Sequence, residues 1–373
     1  MPETSAEGLN RWRALLQICG WLAPQPQALA PAEGEPVWSD IVAVASEHLV
    51  TPALSRPLAG ILAAPAEAQQ YFDIVRGLNA VRNETICEVL EIVLRALNRI
   101  DVQPVLLKGA AMLASGLYRD PAERIIGDID LLIPASRLAA AASALRQNGF
   151  APENTMGEKR WIAPSSHERH LAPLLHADTG AGVELHRELF GKRYQALLPA
   201  AEMLAGSVMQ QWRGADIRMP APTHLVMHNI VHDQLHHGAP GARRFHLRSA
   251  RELVLLASRA QGSLDWRCLE ARFLQTGHDR VLREQASICH ALLGAELPVA
   301  GVDPDKALAE LRDTLLKGQV EPNATRRVRV RTLSRNYVNG FLAEPGLALN
   351  FLNPAWWPRR VRGWKEFIAG KRP

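Results

Sequence analysis

Apolar residues recur at intervals of three and four along much of the chain, which is the spacing of one buried face of an α-helix. Residues 8–100 are predicted to be helical on this basis, with proline-rich breaks at 24–36 and 52–65. The pattern is clearest within residues 82–100, at Ile86, Val89, Leu90, Val93, Leu94 and Leu97. Helices are predicted again from about residue 192, most clearly over 223–237, 247–260, 265–275 and 280–293.

The spacing of apolar residues changes at residue 101. A short apolar run over 102–107 ends in Lys108 and Gly109, which predicts a buried strand that turns into a helix over 110–118. A second strand is predicted at DIDLLIP, residues 128–134. Ser136 is then predicted to cap a helix that runs to Asn148 and ends at Gly149. Residues 168–187 predict a hairpin around the turn ADTGAG.

These elements predict an α+β fold, in which a small mixed β-sheet is flanked by helical regions. A chain of 373 residues is long enough for roughly two or three domains. We expect an N-terminal helical region at 1–100, an α/β core at 101–191 and a C-terminal helical domain at 192–345. A basic, tryptophan-rich tail follows at 346–373.

The start of the second strand carries two acids. Because strand side chains alternate between faces, Asp128 and Asp130 are predicted to point the same way while Ile129 points into the core. Adjacent carboxylates repel one another unless a cation lies between them. Mg²⁺ prefers such oxygen ligands and also binds the phosphate oxygens of a substrate.

Two further segments add chemistry to this pair. Glu184 and His186 share a face of the second hairpin strand, which places a carboxylate and a titratable base near the aspartates if the strands are neighbours. His186 is then expected to bind the substrate, or else to pack or hydrogen-bond within the site. At the turn after the first strand, Gly109 leaves backbone N–H groups accessible to a phosphate. Lys108 adds a positive charge that is expected to contact the β- or γ-phosphate.

The sequence LLKGAAMLASGLYRDPAERIIGDIDLLIP, followed by VELHREL, resembles the uncharacterised bacterial nucleotidyltransferases of the DNA polymerase β-like superfamily. The resemblance covers residues 105–187. It implies a nucleotidyltransferase core, two divalent ions (Mg²⁺ or Mn²⁺) and an NTP donor, with ATP favoured. It also implies that Asp128 and Asp130 bind both metals, that Glu184 is the third carboxylate and that Gly109 is the phosphate-turn glycine. Since Ala110 stands where relatives usually have serine or glycine, Lys108 or Arg124 is expected to contact the triphosphate.

Two function classes follow. The first is an enzyme that moves NMP from an NTP to a hydroxyl, amine or phosphate of a small molecule or of a macromolecule such as tRNA or protein. The second is a non-catalytic protein that keeps the fold and senses nucleotides. The three carboxylates favour the enzyme, because a protein without turnover has no need to keep clustered acids.

A stripe of histidines lies outside this motif set, with a spacing of four residues. Such pairs can bind transition metals, line a substrate cleft, or simply pack as a structural stripe, which we favour. The helix rises about 18 Å from the first to the fourth of these histidines, so all four imidazoles cannot reach one ion. The stripe consists of His224, His228, His232 and His236.

The charge is uneven. Residues 320–373 hold eleven basic and three acidic residues, a formal charge of +8, which leaves −3 for the rest of a chain whose total is +5. A basic segment on a slightly acidic body suggests a polyanionic partner such as tRNA or an anionic surface. For Trp356, Trp357 and Trp364 in this segment, packing on the body is favoured over membrane or nucleic-acid contact, because Pro354 and Pro358 interrupt any long helix.

Composition restricts the class and location of the protein. A hydrophobic fraction of 47% is ordinary for a globular chain. No apolar run approaches the roughly 18–20 residues that cross a bilayer, so no transmembrane segment is expected. The N-terminus is a poor secretory signal, and the four cysteines are far apart without a CxxC pair. We therefore expect a cytoplasmic protein with reduced cysteines in its core.

Overall fold

The computed structural model of the chain describes residues 6–24, 37–60, 64–152, 169–236, 245–260 and 262–316. The predicted basic segment at 320–373, with its tryptophans, lies outside the described residues. Within the described ranges, no helix combines the length and apolar character that a membrane span requires.

Helices form the N-terminal region, as the periodicity predicts. They are α1 (Ala6–Leu22), α2 (Trp38–Glu47), the short α3 (Ser55–Leu58) and the 33-residue α4 (Ala66–Asn98), with a 3₁₀ turn at Thr51–Leu54. The apolar stripe predicted within residues 82–100 is buried in α4, since Leu90, Val93 and Leu97 are fully inaccessible to solvent.

A seven-stranded mixed sheet follows, which confirms the predicted fold class. Its order is β3-β4-β5-β2-β1-β7-β6. The pairs β2/β5 and β1/β7 are parallel, and the other neighbours are antiparallel. The strands are β1 (Val105–Leu106), β2 (Ile129–Leu132), β3 (Phe150–Pro152), β4 (Leu174–His176), β5 (Gly182–His186), β6 (Val208–Trp212) and β7 (Ala215–Met219).

The prediction of helices alone after residue 192 is wrong for β6 and β7. These strands form a hairpin whose two central residues, Arg213 and Gly214, have φ values of +48° and +76°. Two positive φ angles suit the tight turns that join antiparallel strands, but arginine at the first position is not a usual signal for one. Strand β7 pairs with β1, so the sheet extends beyond the core predicted at 101–191.

The four clearest helices predicted after residue 192 are present. Two predictions nearer the sheet need correction, since the helix predicted at 110–118 covers Lys108–Ala114 instead. Ser136 does not cap a helix, because it lies in a 3₁₀ turn at Ala135–Arg137 that follows Pro134, and α6 starts at Leu138 without a side-chain cap. The helices are α5 (Lys108–Ala114), α6 (Leu138–Gln147), α7 (Ala200–Gly206), α8 (Pro222–Ile230, continued by a π-helical turn Val231–His236), α9 (Leu247–Arg259), α10 (Trp266–Gln275), α11 (Asp279–Leu293) and α12 (Pro304–Leu316).

Helix α4 fixes the loop that leads into β2. Asn79 and Asn83 each donate a side-chain hydrogen bond to the carbonyl of Arg124, at 2.9 and 2.8 Å. Nearer the start of the loop, Arg76 Nε donates to Asp120 Oδ2 at 2.6 Å. These buried polar contacts hold the loop against the helix, so the position of the acids that follow it depends on α4.

The four cysteines are free, as expected for reduced thiols. Cys19, Cys87 and Cys289 are buried, and burial raises the pKa of Cys289 to about 12. The expectation of a core position fails for Cys268, which is exposed on α10.

Candidate active site

Two parallel strands bring the predicted acids together. In the register of β2 and β5, Asp130 is the direct partner of Glu184, and Leu132 is the partner of His186. Alternation then places Asp130 and Glu184 on one face, while the buried Ile129 and Leu185 occupy the other. The strand arrangement predicted for Glu184 is therefore present.

Asp130 lies at the centre of this face, and its side chain is only 1% exposed. Its Oδ1 atom accepts hydrogen bonds from Lys108 Nζ at 2.6 Å and from His186 Nε2 at 2.8 Å. Burial opposes ionisation, but the hydrogen bond from His186 and the charge on Lys108 outweigh it and hold the pKa of Asp130 below its usual range. Asp130 is thus a carboxylate that the chain itself keeps ionised.

His186 joins the two carboxylates. Its Nε2 atom lies 3.3 Å from Glu184 Oε2 as well as next to Asp130. Burial alone would lower the pKa of His186, yet its hydrogen bonds to Asp130 and Glu184 raise it. For Glu184, burial would raise the pKa, and the hydrogen bond from His186 lowers it. The imidazole therefore holds Asp130 and Glu184 in a fixed relative position.

The donor set fits a divalent cation. Ligand atoms of Asp130, Glu184 and His186 all lie within 4.8 Å of one another. Asp130 Oδ2 is buried and has no hydrogen-bond partner among the described residues. A buried carboxylate oxygen without a partner is costly, and coordination of a cation would satisfy it. Carboxylate oxygens suit Mg²⁺ and Mn²⁺, whereas imidazole nitrogen suits transition metals.

Asp128 is not a member of that close group. It lies just before β2, half-buried, and burial together with repulsion from Asp130 raises its pKa to about 6. Arg82 of α4 interacts electrostatically with Asp128 and donates to the neighbouring carbonyl of Gly127 at 3.4 Å. The two predicted aspartates therefore differ in their contacts, and their pKa values are shifted in opposite directions.

Lys108 and Gly109 are the first two residues of α5, where the chain turns directly after β1. Lys108 has φ +44°, which is a strained conformation for a side chain other than glycine. A Cβ on Gly109 would lie 2.9 Å from Ile126 Cγ2 and 3.3 Å from Arg124 Nη1, so glycine is needed for close packing there. The Lys108 ammonium, predicted to contact phosphate, lies instead on Asp130.

Arg124, the other predicted phosphate ligand, is buried. Its Nε donates to Glu252 Oε1 of α9 at 2.9 Å, and its Nη1 donates to the carbonyl of Ile125 at 2.6 Å. The structure thus ties Arg124 to the C-terminal helical region while its guanidinium stays beside Gly109.

Several residues near the acids have no local sequence signal. His170 pairs with His186 in an isolated antiparallel bridge, and their rings are 4.9 Å apart. Arg169 interacts electrostatically with Glu184 and Asp130. Arg82 comes from a helix whose approach to β2 only the tertiary fold determines. Arg169 and His170 lie in the predicted hairpin but in no motif of their own, so none of the three was predicted as part of the site.

Histidines of the stripe on α8 have polar and ring contacts with residues other than the acids. His224 Nε2 lies 3.5 Å from Glu202 Oε1. The ring of His228 stacks on Phe190 at a centroid distance of 5.4 Å and lies 5.7 Å from the ring of His232. The side chain of His236 lies outside the described residues. These contacts agree with the structural interpretation of the stripe.

A cavity of about 390 Å³ lies elsewhere, between α1, the loop before β2 and α9. None of the acidic residues of β2 and β5 lines it, so it does not help to locate the site. Its charged lining consists of Arg56, Arg119, Glu123 and Arg251.

A known protein family matches most of the chain. Residues 34–294 match a protein family described as "Uncharacterised nucleotidyltransferase". A solved structure described as an antigenic nucleotidyltransferase-like protein from Paracoccidioides brasiliensis is 15% identical to this chain. That match covers 58% of this chain and 94% of the other chain, with a TM-score of 0.36, which is too low to support an argument. A search of curated proteins gives no match.

Proposed function

Because this chain belongs to the family of uncharacterised nucleotidyltransferases, we propose that it is a metal-dependent enzyme that moves NMP from an NTP, with ATP favoured, to an acceptor. The acceptor group is a hydroxyl, amine or phosphate, on a small molecule or on a macromolecule such as tRNA or protein. The observation that supports this most is the direct pairing of Asp130 with Glu184 across two parallel strands.

In this proposal, Asp128, Asp130 and Glu184 would hold two Mg²⁺ or Mn²⁺ ions. Such ions supply activation of the attacking oxygen and stabilisation of the leaving pyrophosphate. The partnerless Oδ2 of Asp130 supports the assignment, since it offers a ready ligand. Asp128 contributes a carboxylate from outside the close group, on the side where Arg82 lies.

His186 is proposed to position the carboxylates rather than to contact substrate directly. It is only 2% exposed and hydrogen-bonds Asp130, with Glu184 close by. A buried imidazole that bridges two ligands restricts their rotation, as outer partners of metal ligands commonly do. The earlier expectation of a substrate-binding role for His186 is therefore replaced by a positioning role in the proposal.

Lys108, Gly109 and Arg124 are proposed to bind the phosphates. The Lys108 side chain is 24% exposed and its Nζ lies at the acidic face, where a nucleotide phosphate would contact it. Gly109 lets the Arg124 guanidinium approach the turn closely. A lysine ammonium beside a guanidinium is a suitable environment for a polyphosphate.

One observation favours the second function class. Lys108 and His186 already compensate the charge of Asp130, so the acidic group does not require a metal to be tolerated in the fold. A nucleotide-sensing protein without turnover could keep the same arrangement. The two classes differ in one property, which is whether the nucleotide is consumed.

Two further proposals concern the setting of the reaction. The formal charge of +8 at residues 320–373 supports a polyanionic partner, such as tRNA or an anionic surface. The free cysteines are consistent with a cytoplasmic location.

The test is to incubate the purified chain with each α-labelled NTP, a cell extract and Mg²⁺ or Mn²⁺, and to ask which class of molecule becomes labelled. We expect label transfer with one preferred nucleotide, and no transfer with EDTA or with the Asp130→Asn variant. Binding of the nucleotide without any labelled product would favour the sensing protein over the enzyme.

A further inference from the structure

A buried polar network links the phosphate turn to helix α9. At its centre is Glu252, which is 4% exposed. Its Oε1 accepts from Arg124 Nε at 2.9 Å and from the Tyr118 hydroxyl at 3.1 Å, and its Oε2 accepts from Asn229 Nδ2 at 3.3 Å. Arg248, one helical turn before Glu252, places its Nε 4.0 Å from the same Oε1 atom.

The charges in this network do not balance. Two guanidinium groups, Arg124 and Arg248, share one carboxylate, Glu252. The next carboxylate, Asp233, is occupied by hydrogen bonds with His246 and Gln234. The two guanidinium groups therefore have one carboxylate between them, which favours binding of an anion because Arg124 is buried and Arg248 is only partly exposed.

Arg248 is the less satisfied of the two arginines. Its Nε is buried and has no hydrogen-bond partner among the described residues, and its distance to Glu252 is too long for a hydrogen bond. Its side chain is nevertheless 28% exposed, so part of the guanidinium reaches solvent. Burial and the neighbouring charge of Arg124 both lower the pKa of Arg248, as expected for a cation that lacks a counter-charge.

The network is continuous with the acidic face. Lys108 Nζ binds Asp130, and Gly109 is the next residue. The Arg124 guanidinium lies against Gly109, at 3.3 Å from the place of a Cβ, and Arg124 shares Glu252 with Arg248. An anion held by Arg248 and Arg124 would thus lie one contact beyond the turn.

We propose that Arg248, supplied by helix α9, joins Arg124 in a polyphosphate-binding subsite beside the Lys108-Gly109 turn, where it holds the terminal phosphates of the nucleotide. This inference rests on the proposed function, because it assigns the terminal phosphates of the donor. Glu252 orients the Arg124 guanidinium through a hydrogen bond, and the N–H donors of the Arg248 guanidinium are left for the ligand. The C-terminal helical region then completes the nucleotide site that the sheet begins.

The test is calorimetric binding of ATP, AMP and inorganic tripolyphosphate, with Mg²⁺ present, to the wild type and to Arg248→Ala. Since a hydrogen bond to a charged group contributes about 1.5–3 kcal/mol, the Kd for ATP and for tripolyphosphate should rise at least about tenfold. The Kd for AMP should change less than about twofold, because AMP lacks the terminal phosphates.

Arg259→Ala is the matched control, because Arg259 is an exposed arginine on the same helix that contacts the Gly116 carbonyl instead of Glu252. It should leave all three affinities unchanged. If Arg248→Ala does not fold, Arg248→Lys is measured in its place, because lysine keeps the positive charge but lacks the planar set of N–H donors of the guanidinium. Its tripolyphosphate affinity should fall several-fold while its AMP affinity is kept.

The outcomes separate this inference from the proposed function. If Arg248→Ala and wild type bind ATP equally, or if ATP and AMP weaken together, the subsite is wrong and the proposed function stands. If the wild type binds tripolyphosphate in an Arg248-dependent way but binds no nucleotide, the subsite stands and the proposed function is wrong. If the wild type binds neither ATP nor tripolyphosphate, both are overturned.

Discussion

At the scale of single residues, burial and hydrogen bonding have opposite effects on the ionisation of Asp130. Burial disfavours its charge, while two donors on one oxygen favour it. Asp128, two residues earlier, has no such donors among the described residues, and burial with repulsion from Asp130 raises its pKa instead. Two acids that are equivalent in the sequence are therefore distinct in the fold, which suits a site whose ligands have different tasks.

The raised pKa of Asp128, to about 6, leads to a prediction on stability and pH. Between about pH 4 and 6, the folded chain keeps a proton on Asp128 that the unfolded chain releases, so rising pH destabilises the wild type over this window. Asp128→Asn removes the effect. Without metal, the difference in free energy of unfolding between the variant and the wild type should increase by up to about 2 kcal/mol from pH 4 to 6, in favour of the variant.

Urea denaturation at several pH values measures this difference. Asp178→Asn, in the exposed turn between β4 and β5, is the control, and its stability should run parallel to the wild type. Parallel curves for Asp128→Asn as well would show that Asp128 has an ordinary pKa in the folded chain.

Lys108 gives a second prediction at this scale, because its ammonium and a divalent ion would both stabilise the charge of Asp130. In Lys108→Met, the buried carboxylate of Asp130 keeps only the hydrogen bond from His186. The substitution should lower the free energy of unfolding without metal by about 1–3 kcal/mol. Addition of Mg²⁺ or Mn²⁺ should then raise the melting temperature of the variant more than that of the wild type. Equal metal-induced shifts in the two proteins would exclude this competition.

At the scale of elements, the site depends on the approach of α5 to the loop before β2. A methyl group on Gly109 would meet Ile126 at 2.9 Å, so Gly109→Ala should destabilise the fold by about 1–3 kcal/mol. Gly77→Ala, at an exposed position of α4 with nothing within 4 Å, should instead stabilise it by about 0.5–1 kcal/mol. Thermal melting compares the two, and a neutral Gly109→Ala would mean that the turn has room to shift.

Local sequence patterns predicted many of the helices and strands correctly. Alternation in DIDLLIP and VELHREL indicated which side chains share a face, and the spacing of apolar residues indicated α4, α8 and α9. The β6–β7 hairpin was not predicted, because its Arg213-Gly214 turn lacks a usual signal and the side chains of β6 are largely exposed. Arg248 and Glu252 could not be predicted as part of the site, since only the packing of α9 brings them to Arg124.

At the scale of the whole molecule, one buried and one half-buried ion pair join the sheet region to the C-terminal helices. Arg124 binds Glu252, and Arg251 binds Glu123 at 2.5 Å while its guanidinium lies over the Tyr118 ring. Both pairs connect the loop before β2 with α9. A change in the position of α9 would therefore move the loop that leads to the acids.

Glu252→Ala tests that connection. Removing one partner of a buried pair leaves Arg124 without its carboxylate and should cost about 3–5 kcal/mol of stability. Glu296→Ala is the control, because Glu296 is exposed and its nearest partner, His290, is 3.9 Å away, so its effect should stay within about 0.5 kcal/mol. Similar small losses in both variants, measured by urea denaturation, would show that the Arg124 pair does not hold the two regions together.

The central claim, that the site transfers a nucleotide, is tested most directly by parallel reactions with α- and γ-labelled ATP in the presence of Mg²⁺ and a responsive acceptor. The wild type should place the α-label on the acceptor and release the γ-label as pyrophosphate. Glu184→Gln should bind ATP with little change but transfer at least about a hundredfold less α-label, because it keeps Asp128 and Asp130 and loses the third carboxylate. Transfer of the γ-label, or equal α-label transfer by wild type and Glu184→Gln, would contradict the account.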